Sequence, residues 1–180
     1  MIEKQLIDLE EWLPVVDDQG NTIGKSLRSE CHNGRMLLHP VVHLQVIGPD
    51  GSLFLQKRPI TKLVQPGKWD TAVGGHIAFG EALETSLRRE ALEEIGLTDF
   101  KAKLALRYRW DSEIESELVF TFVTHDSAGI NVHSDEVDEG RFWSFDEIKD
   151  KLGKAVFTPN FEHEFRMLDN LGAFTPSTSV

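Results

Sequence analysis

The chain of 180 residues has room for one domain and little more. Its 40% hydrophobic and 27% charged residues exclude a disordered or fibrous protein. A net charge of −11, from 30 Asp+Glu against 19 Lys+Arg, argues against nucleic acid or an anionic membrane as main partner and suits carboxylates gathered around cations.

From the N-terminus, Met1-Ile2-Glu3-Lys4-Gln5-Leu6 lacks an apolar signal core, no 18-residue apolar run occurs further on, and the single Cys31 precludes an internal disulfide. A cytoplasmic protein is the expectation. Trp12 to Val16 and Thr22 to Leu27 read as a hairpin around Asp17-Asp18-Gln19-Gly20-Asn21. A second hairpin pairs Val41–Ile47 with Ser52–Gln56 across Pro49-Asp50-Gly51, where Asp-Gly tolerates positive φ. Pro59 and Pro66-Gly67 bound a loop that leads through Trp69 to Gly74-Gly75.

Glu81 to Ile95 has the strongest helical pattern: Leu83, Leu87, Ala91 and Ile95 recur every fourth residue, and Gly96 comes next as a left-handed stop. Two alternating stretches, Lys103–Trp110 and Glu117–Thr124, and a short one at Arg141-Phe142-Trp143 read as strands. Ser144 with Glu147 forms a capping box for a brief helix. Thr158 and Pro159 then open a last helix with Phe161, Phe165 and Leu168 inward. The expected organisation is one mixed α/β domain over residues 1–172 with an N-terminal hairpin extension, ending in a small, polar, flexible tail at 173–180.

The helix carries the chemistry. Glu90 and Glu94 are i,i+4 neighbours and Glu93 is i+3 from Glu90, so all three are expected in one sector. Like charges so placed destabilise a helix by about 0.2–0.5 kcal/mol per pair unless a cation compensates. Such oxygen donors suit Mg²⁺ or Mn²⁺, which also bind phosphates. Glu81 and Arg89, two turns apart on one side, are placed to pair. A solvated acidic helix face is the commoner meaning of scattered glutamates, but Gly75, Glu81, Arg89, Glu90, Glu93, Glu94 and Gly96 occupy fixed intervals, with apolar Ala91 and Leu97 in their own fixed places.

That run resembles the Nudix box, and the resemblance implies an α/β/α sandwich around a mixed sheet and metal-dependent hydrolysis of a small-molecule diphosphate. It makes Glu90 and Glu94 metal ligands and Glu93 a further ligand or the residue that orients water. Gly75, Glu81, Arg89 and Gly96 become architectural. Outside the box, Trp12 to Leu168 resembles the isopentenyl-diphosphate isomerases and their bacterial Nudix relatives, through Leu13-Pro14-Val15-Val16-Asp17, Cys31-His32-Asn33-Gly34, Leu38-His39, Gln56-Lys57-Arg58, Pro66-Gly67-Lys68-Trp69 and Gly75-His76. This implies a second, transition-metal site from His32, His39, His76, Glu115 and Glu117, a set that suits Mn²⁺, Fe²⁺ or Zn²⁺. Glu115 and Glu117, i,i+2 on a strand, would share a face, and Glu117 also counts among the candidate catalytic groups with Glu90 and Glu93.

The departures decide the reaction. The isomerases carry a cysteine two residues before the box histidine; Gly74 stands there and transfers no proton. Their C-terminal Ser-Pro-Trp becomes Thr158-Pro159-Asn160, while their box keeps only the glutamate matching Glu94. Hydrolysis is therefore expected, with an unusual isomerase and a catalytically silent nucleotide- or metal-sensing module as the competing readings. Arg58, Lys57 and Tyr108 are the expected substrate contacts; Trp69 and Cys31 read as core, and His43, His125, His133 and His163 as surface or packing residues. A homodimer through apolar residues near the N-terminal hairpin is a further expectation.

Overall fold

The computed structural model describes residues 11–62, 64–132 and 136–174. The N-terminal segment Met1 to Leu6, His133 and residues 175–180 of the expected tail lie outside the described residues.

The first hairpin forms as expected: β1 (Trp12–Val16) and β2 (Thr22–Leu27) pair antiparallel in a two-stranded sheet. Asp17 holds their turn, accepting hydrogen bonds from the backbone N–H of Gln19 and Asn21. One turn of helix, α1 (Arg28–Cys31), then delivers His32 as its C-terminal cap.

The main sheet has seven strands: β3 (Leu38–Ile47), β4 (Leu53–Lys57), β5 (Trp69–Asp70), β6 (Val73–His76), β7 (Lys103–Asp111), β8 (Ser116–Thr124) and β9 (Glu139–Trp143). β3 is central and buried at all ten residues. It pairs parallel with β8 over nine residues and antiparallel with both β4 and β6, which makes the sheet mixed. β7 extends the sheet beyond β8, while β5 and β9 flank β4. β3 begins at Leu38, three residues before the turn-based expectation, because its first residues pair with β8 rather than with the hairpin partner.

Helices cover both faces. Val42, Leu44 and Val46 of β3 meet Leu87, Ala91 and Ile95 of α2 (Leu83–Ile95). The opposite layer packs Leu53, Leu55, Trp69 and Trp143 against α3 (Phe145–Lys151) and α4 (Pro159–Asn170), with Ile148, Phe161, Phe165 and Leu168 fully covered. Burial of each such aliphatic or aromatic side chain contributes about 1.5–3 kcal/mol. Ser144 completes a reciprocal capping box with Glu147, and Thr158 caps α4.

Two expectations need correction. α2 starts at Leu83, not Glu81, because Ala82 is extended and the Glu81 side chain reaches out of the helix to the backbone N–H of Ala78 and to Arg89. Ala173 and Phe174, expected to open the flexible tail, instead pack in the core, where Phe174 meets Phe145 and Phe165. An aromatic side chain with an apolar layer in reach buries itself even where the neighbouring residues are polar. Among the described residues no helix is long and apolar enough to cross a membrane.

Candidate metal centre and active site

The glycine pair of β6 sits between two sets of ionisable side chains. Gly75 is a notch for Glu90: a Cβ built there would lie 2.0 Å from the Glu90 carboxyl carbon. One turn on, Glu94 accepts hydrogen bonds from the Gly74 backbone N–H at 3.0 Å and from Gln56 Nε2 at 2.8 Å. Both carboxylates are buried. Burial raises Glu90 to about 7 and Glu94 to about 8, and Glu90 adds to the rise at Glu94. A cation between them would reverse both effects.

Arg89 organises this cluster. Its guanidinium grips Glu81 through Nε at 3.1 Å and Nη2 at 2.9 Å, donates to the His76 carbonyl at 3.1 Å and to Glu90 Oε1 at 2.7 Å. The Glu81–Arg89 pair expected from spacing is therefore present. Glu93 parts from the other two: its side chain is half exposed and reaches Arg89 only at 3.5 Å. The reason is angular, since Glu93 lies about 100° around the helix from Glu94. Gly96 ends α2 in the left-handed region, at φ 66°.

The second set is assembled by the strands. The parallel register places His39 of β3 beside Glu117 of β8, and His76 on β6 pairs with Val41 of β3. With His32 from α1 the three imidazoles stand 4.9–5.4 Å apart, centre to centre. His32 Nε2 lies 3.0 Å from His76 Nε2 and 3.1 Å from Glu115 Oε2. Donor atoms of His32, His39 and His76 fall within 4.8 Å of one another, as do those of His39, Glu115 and Glu117. His39 donates from Nδ1 to the Leu37 carbonyl at 2.9 Å, and its Nε2 is buried with no hydrogen-bond partner among the described residues.

The donor chemistry fits a cation. Burial lowers all three histidines, His32 to about 4 with His39 contributing, so their nitrogens offer lone pairs rather than protons. Burial raises Glu115, and burial with the Glu115 charge raises Glu117 to about 8. Neutral imidazoles aimed at one point and two carboxyls short of compensating charge are what a divalent transition metal accepts.

Around this cluster lies a network the sequence did not disclose. Glu164 of α4, fully buried, accepts from His43 Nδ1 at 2.7 Å, Gln45 Nε2 at 2.6 Å and Thr121 Oγ1 at 2.9 Å. The Tyr108 hydroxyl lies 2.8 Å from Glu164 Oε2 and 2.6 Å from Asn160 Oδ1, and Asn160 Nδ2 donates to Glu117 at 3.3 Å. His43 is thus a buried, hydrogen-bonded residue, within the expectation of a surface or packing role. The available signal was phase: His39, His43 and Gln45 share one face of a strand otherwise apolar.

The expected substrate contacts divide. Arg58 donates to the Val64 carbonyl and pairs with Asp70 at 3.4 Å, and its charge is felt at Glu115 and Glu117. Lys57 turns instead to Glu139 on β9, at 3.8 Å. Tyr108 borders the cluster through its engaged hydroxyl, which burial and then Glu164 hold protonated. Cys31 is buried and its thiol pushed up to about 11 by burial, then by Glu30 and Glu115, so it stays an inert thiol. Trp69 packs edge-on to Trp143 in the core, and His125 and His163 are exposed.

Comparison with known proteins gives a consistent picture. The NUDIX domain model matches residues 37–161. A Mycolicibacterium vanbaalenii protein named isopentenyl-diphosphate Delta-isomerase is 31% identical over 173 residues, covering 92% of this chain and 95% of its own. An uncharacterized Nudix hydrolase of Streptomyces coelicolor is 28% identical, with 84% of each chain covered. Among solved structures, a Deinococcus radiodurans protein superposes with a TM-score of 0.74 at 18% identity, covering 87% of this chain and 98% of its own. A MutT protein from Methanosarcina mazei gives 0.66 at 21%, covering 77% and 97%.

Proposed function

The chain belongs to the Nudix family, a family of metal-dependent pyrophosphohydrolases acting on small-molecule diphosphates, and from that premise we infer that it cleaves a phosphoanhydride bond of a nucleoside diphosphate joined to a second group, or of an isoprenoid-type diphosphate. The observation that carries the reading is Glu90 seated in the Gly75 notch beside a buried Glu94, with the His32/His39/His76/Glu115/Glu117 cluster also assembled.

Glu90 and Glu94 would hold Mg²⁺ or Mn²⁺, and the histidine–glutamate cluster a second, transition-metal ion. Divalent cations held there would supply charge neutralisation of the diphosphate and a lower pKa for bound water. The chain's own groups supply the rest. Arg58 binds a phosphate oxygen, and Lys57, paired with Glu139, adds longer-range attraction for the anion. Arg89, locked by Glu81, fixes the rotamer of Glu90. Glu93, at the solvent edge, orients the attacking water, and Glu90 or Glu117 takes its proton. The water oxygen bonds to phosphorus as the bridging P–O bond breaks, and the leaving phosphate oxygen keeps that bond's electron pair.

The test is hydrolysis with Mg²⁺ and with Mn²⁺ across nucleoside di- and triphosphates, sugar nucleotides, dinucleotides and isoprenoid diphosphates. Glu94→Gln is expected to lower activity on the best substrate by about 100-fold or more. Undiminished activity would refute the assigned role. A second reading, isopentenyl-diphosphate isomerisation, is favoured by the complete histidine–glutamate cluster and the isomerase-named relative, and opposed by Gly74. Solvent deuterium in recovered isopentenyl diphosphate would establish it in place of hydrolysis.

A further inference from the structure

The two faces of the β6 glycine pair differ. Gly75 is filled by Glu90, whereas Gly74, on a strand paired with β3 along one edge, is exposed. The nearest atoms to a Cβ there would be His43 Cδ2 at 3.5 Å, His43 Nε2 at 3.6 Å and Thr71 Cγ2 at 3.6 Å, all ordinary contacts. Gly74 is therefore the floor of an opening and the His43 ring one of its walls. The Gly74 N–H is meanwhile bound to Glu94, so the opening adjoins the box carboxylates.

His43 is built to face that opening with a proton. Its Nδ1 is committed to Glu164 at 2.7 Å. Glu164 also collects Gln45 and Thr121 and lies in reach of the Tyr108 hydroxyl, a donor set that favours the ionised carboxylate. The Nε2 of His43 makes no hydrogen bond to any described residue, and a tenth of the side-chain surface stays open. The charged and titratable groups around the ring are Glu164 on α4, Glu117 on β8, Asp70 on β5 and Tyr108 on β7. Burial alone would lower His43, but Glu164 overrides it and holds the imidazolium up at about 9. With Glu117 and Asp70 also near the ring, this is a rigid cationic donor.

We propose that His43, oriented by Glu164, is a substrate-contacting residue whose Nε2–H donates a hydrogen bond and positive charge to an oxygen of the diphosphate lodged over Gly74. The proposal rests on the phosphoanhydride reading above and adds the group that grips the anion from the face opposite Glu90. Glu164 is a positioning residue.

The test has two arms. In ¹⁵N-histidine spectra of the unsubstituted protein with Mg²⁺, the assigned His43 Nε2 signal is expected to move when imidodiphosphate is added. In turnover assays His43→Gln is expected to lower kcat/KM by about 100-fold, the size of loss typical of a removed donor to a developing anion. The parent activity should fall as pH rises past about 9, Glu164→Gln should bring that fall to lower pH, and His43→Gln should abolish it. An unmoved nitrogen signal, or a His43→Gln enzyme matching the parent in rate and pH profile while Glu94→Gln is dead, overturns the proposal and leaves the hydrolase reading intact. A parent protein that hydrolyses no phosphoanhydride removes that reading, while a moved nitrogen signal would still establish the anion contact.

Discussion

Gly75 and Gly74 show how much one hydrogen atom in place of a methyl decides. At Gly75 an added Cβ overlaps the Glu90 carboxyl, so Gly75→Ala must expel that side chain or shift the strand. Overpacking of this kind costs about 1–3 kcal/mol. Urea unfolding is expected to show that loss for Gly75→Ala and a much smaller one for Gly74→Ala, whose new methyl meets only ordinary contacts. The Glu81–Arg89 pair, Glu90 and Glu94 were legible from spacing, because one helix fixes their relative directions. Glu93 was not, since the same spacing admits a side chain that turns to solvent. His43 and Glu164 were also hidden: 121 residues separate them, and only the docking of α4 on the β3 face brings them together.

The elements were legible wherever their ends carry local chemistry. The Ser144–Glu147 box, the Thr158 cap with Pro159, and Gly96 all do in the structure what their sequence signals predict. Ser144→Ala removes an acceptor for the Glu147 N–H and is expected to cost about 1 kcal/mol, read as a lower urea midpoint with unchanged slope. Where an end is set by tertiary partners, sequence pattern falls short. β3 gains residues at its start by pairing with β8, and Phe174 joins the aromatic layer of Phe145 and Phe165.

At the scale of the molecule, the buried His43–Glu164 pair ties the C-terminal helix to the sheet centre. His43 is raised from 6.5 to about 9 in the fold, so between those values the folded state binds more protons than the unfolded chain and stability falls as pH rises. The pair's contribution is complete below pH 6.5 and is lost as pH passes about 9. Glu164, held below the ordinary 4.5 by His43 against the opposing effect of burial, loses its share as pH falls under that value. The stability difference between parent and His43→Gln, from thermal unfolding at pH 6 and pH 9.5, is expected to narrow at the higher pH. Removing one member of a buried pair costs about 3–5 kcal/mol where the pair is intact.

The parallel register of β3 with β8 has a consequence for how the molecule comes into being. Box carboxylates sit one turn apart on a single helix, so their spacing is set as soon as that helix forms, and β4 and β6 then seat them. His39 and Glu117 become neighbours only when a crossover carrying α2 and the strands β4 to β7 has swung shut. Closing so long a loop forfeits chain entropy before any contact rewards it. No nascent chain that stops short of residue 117 can therefore present the full histidine–glutamate cage, and a cation arriving during synthesis finds it complete only once the sheet has closed.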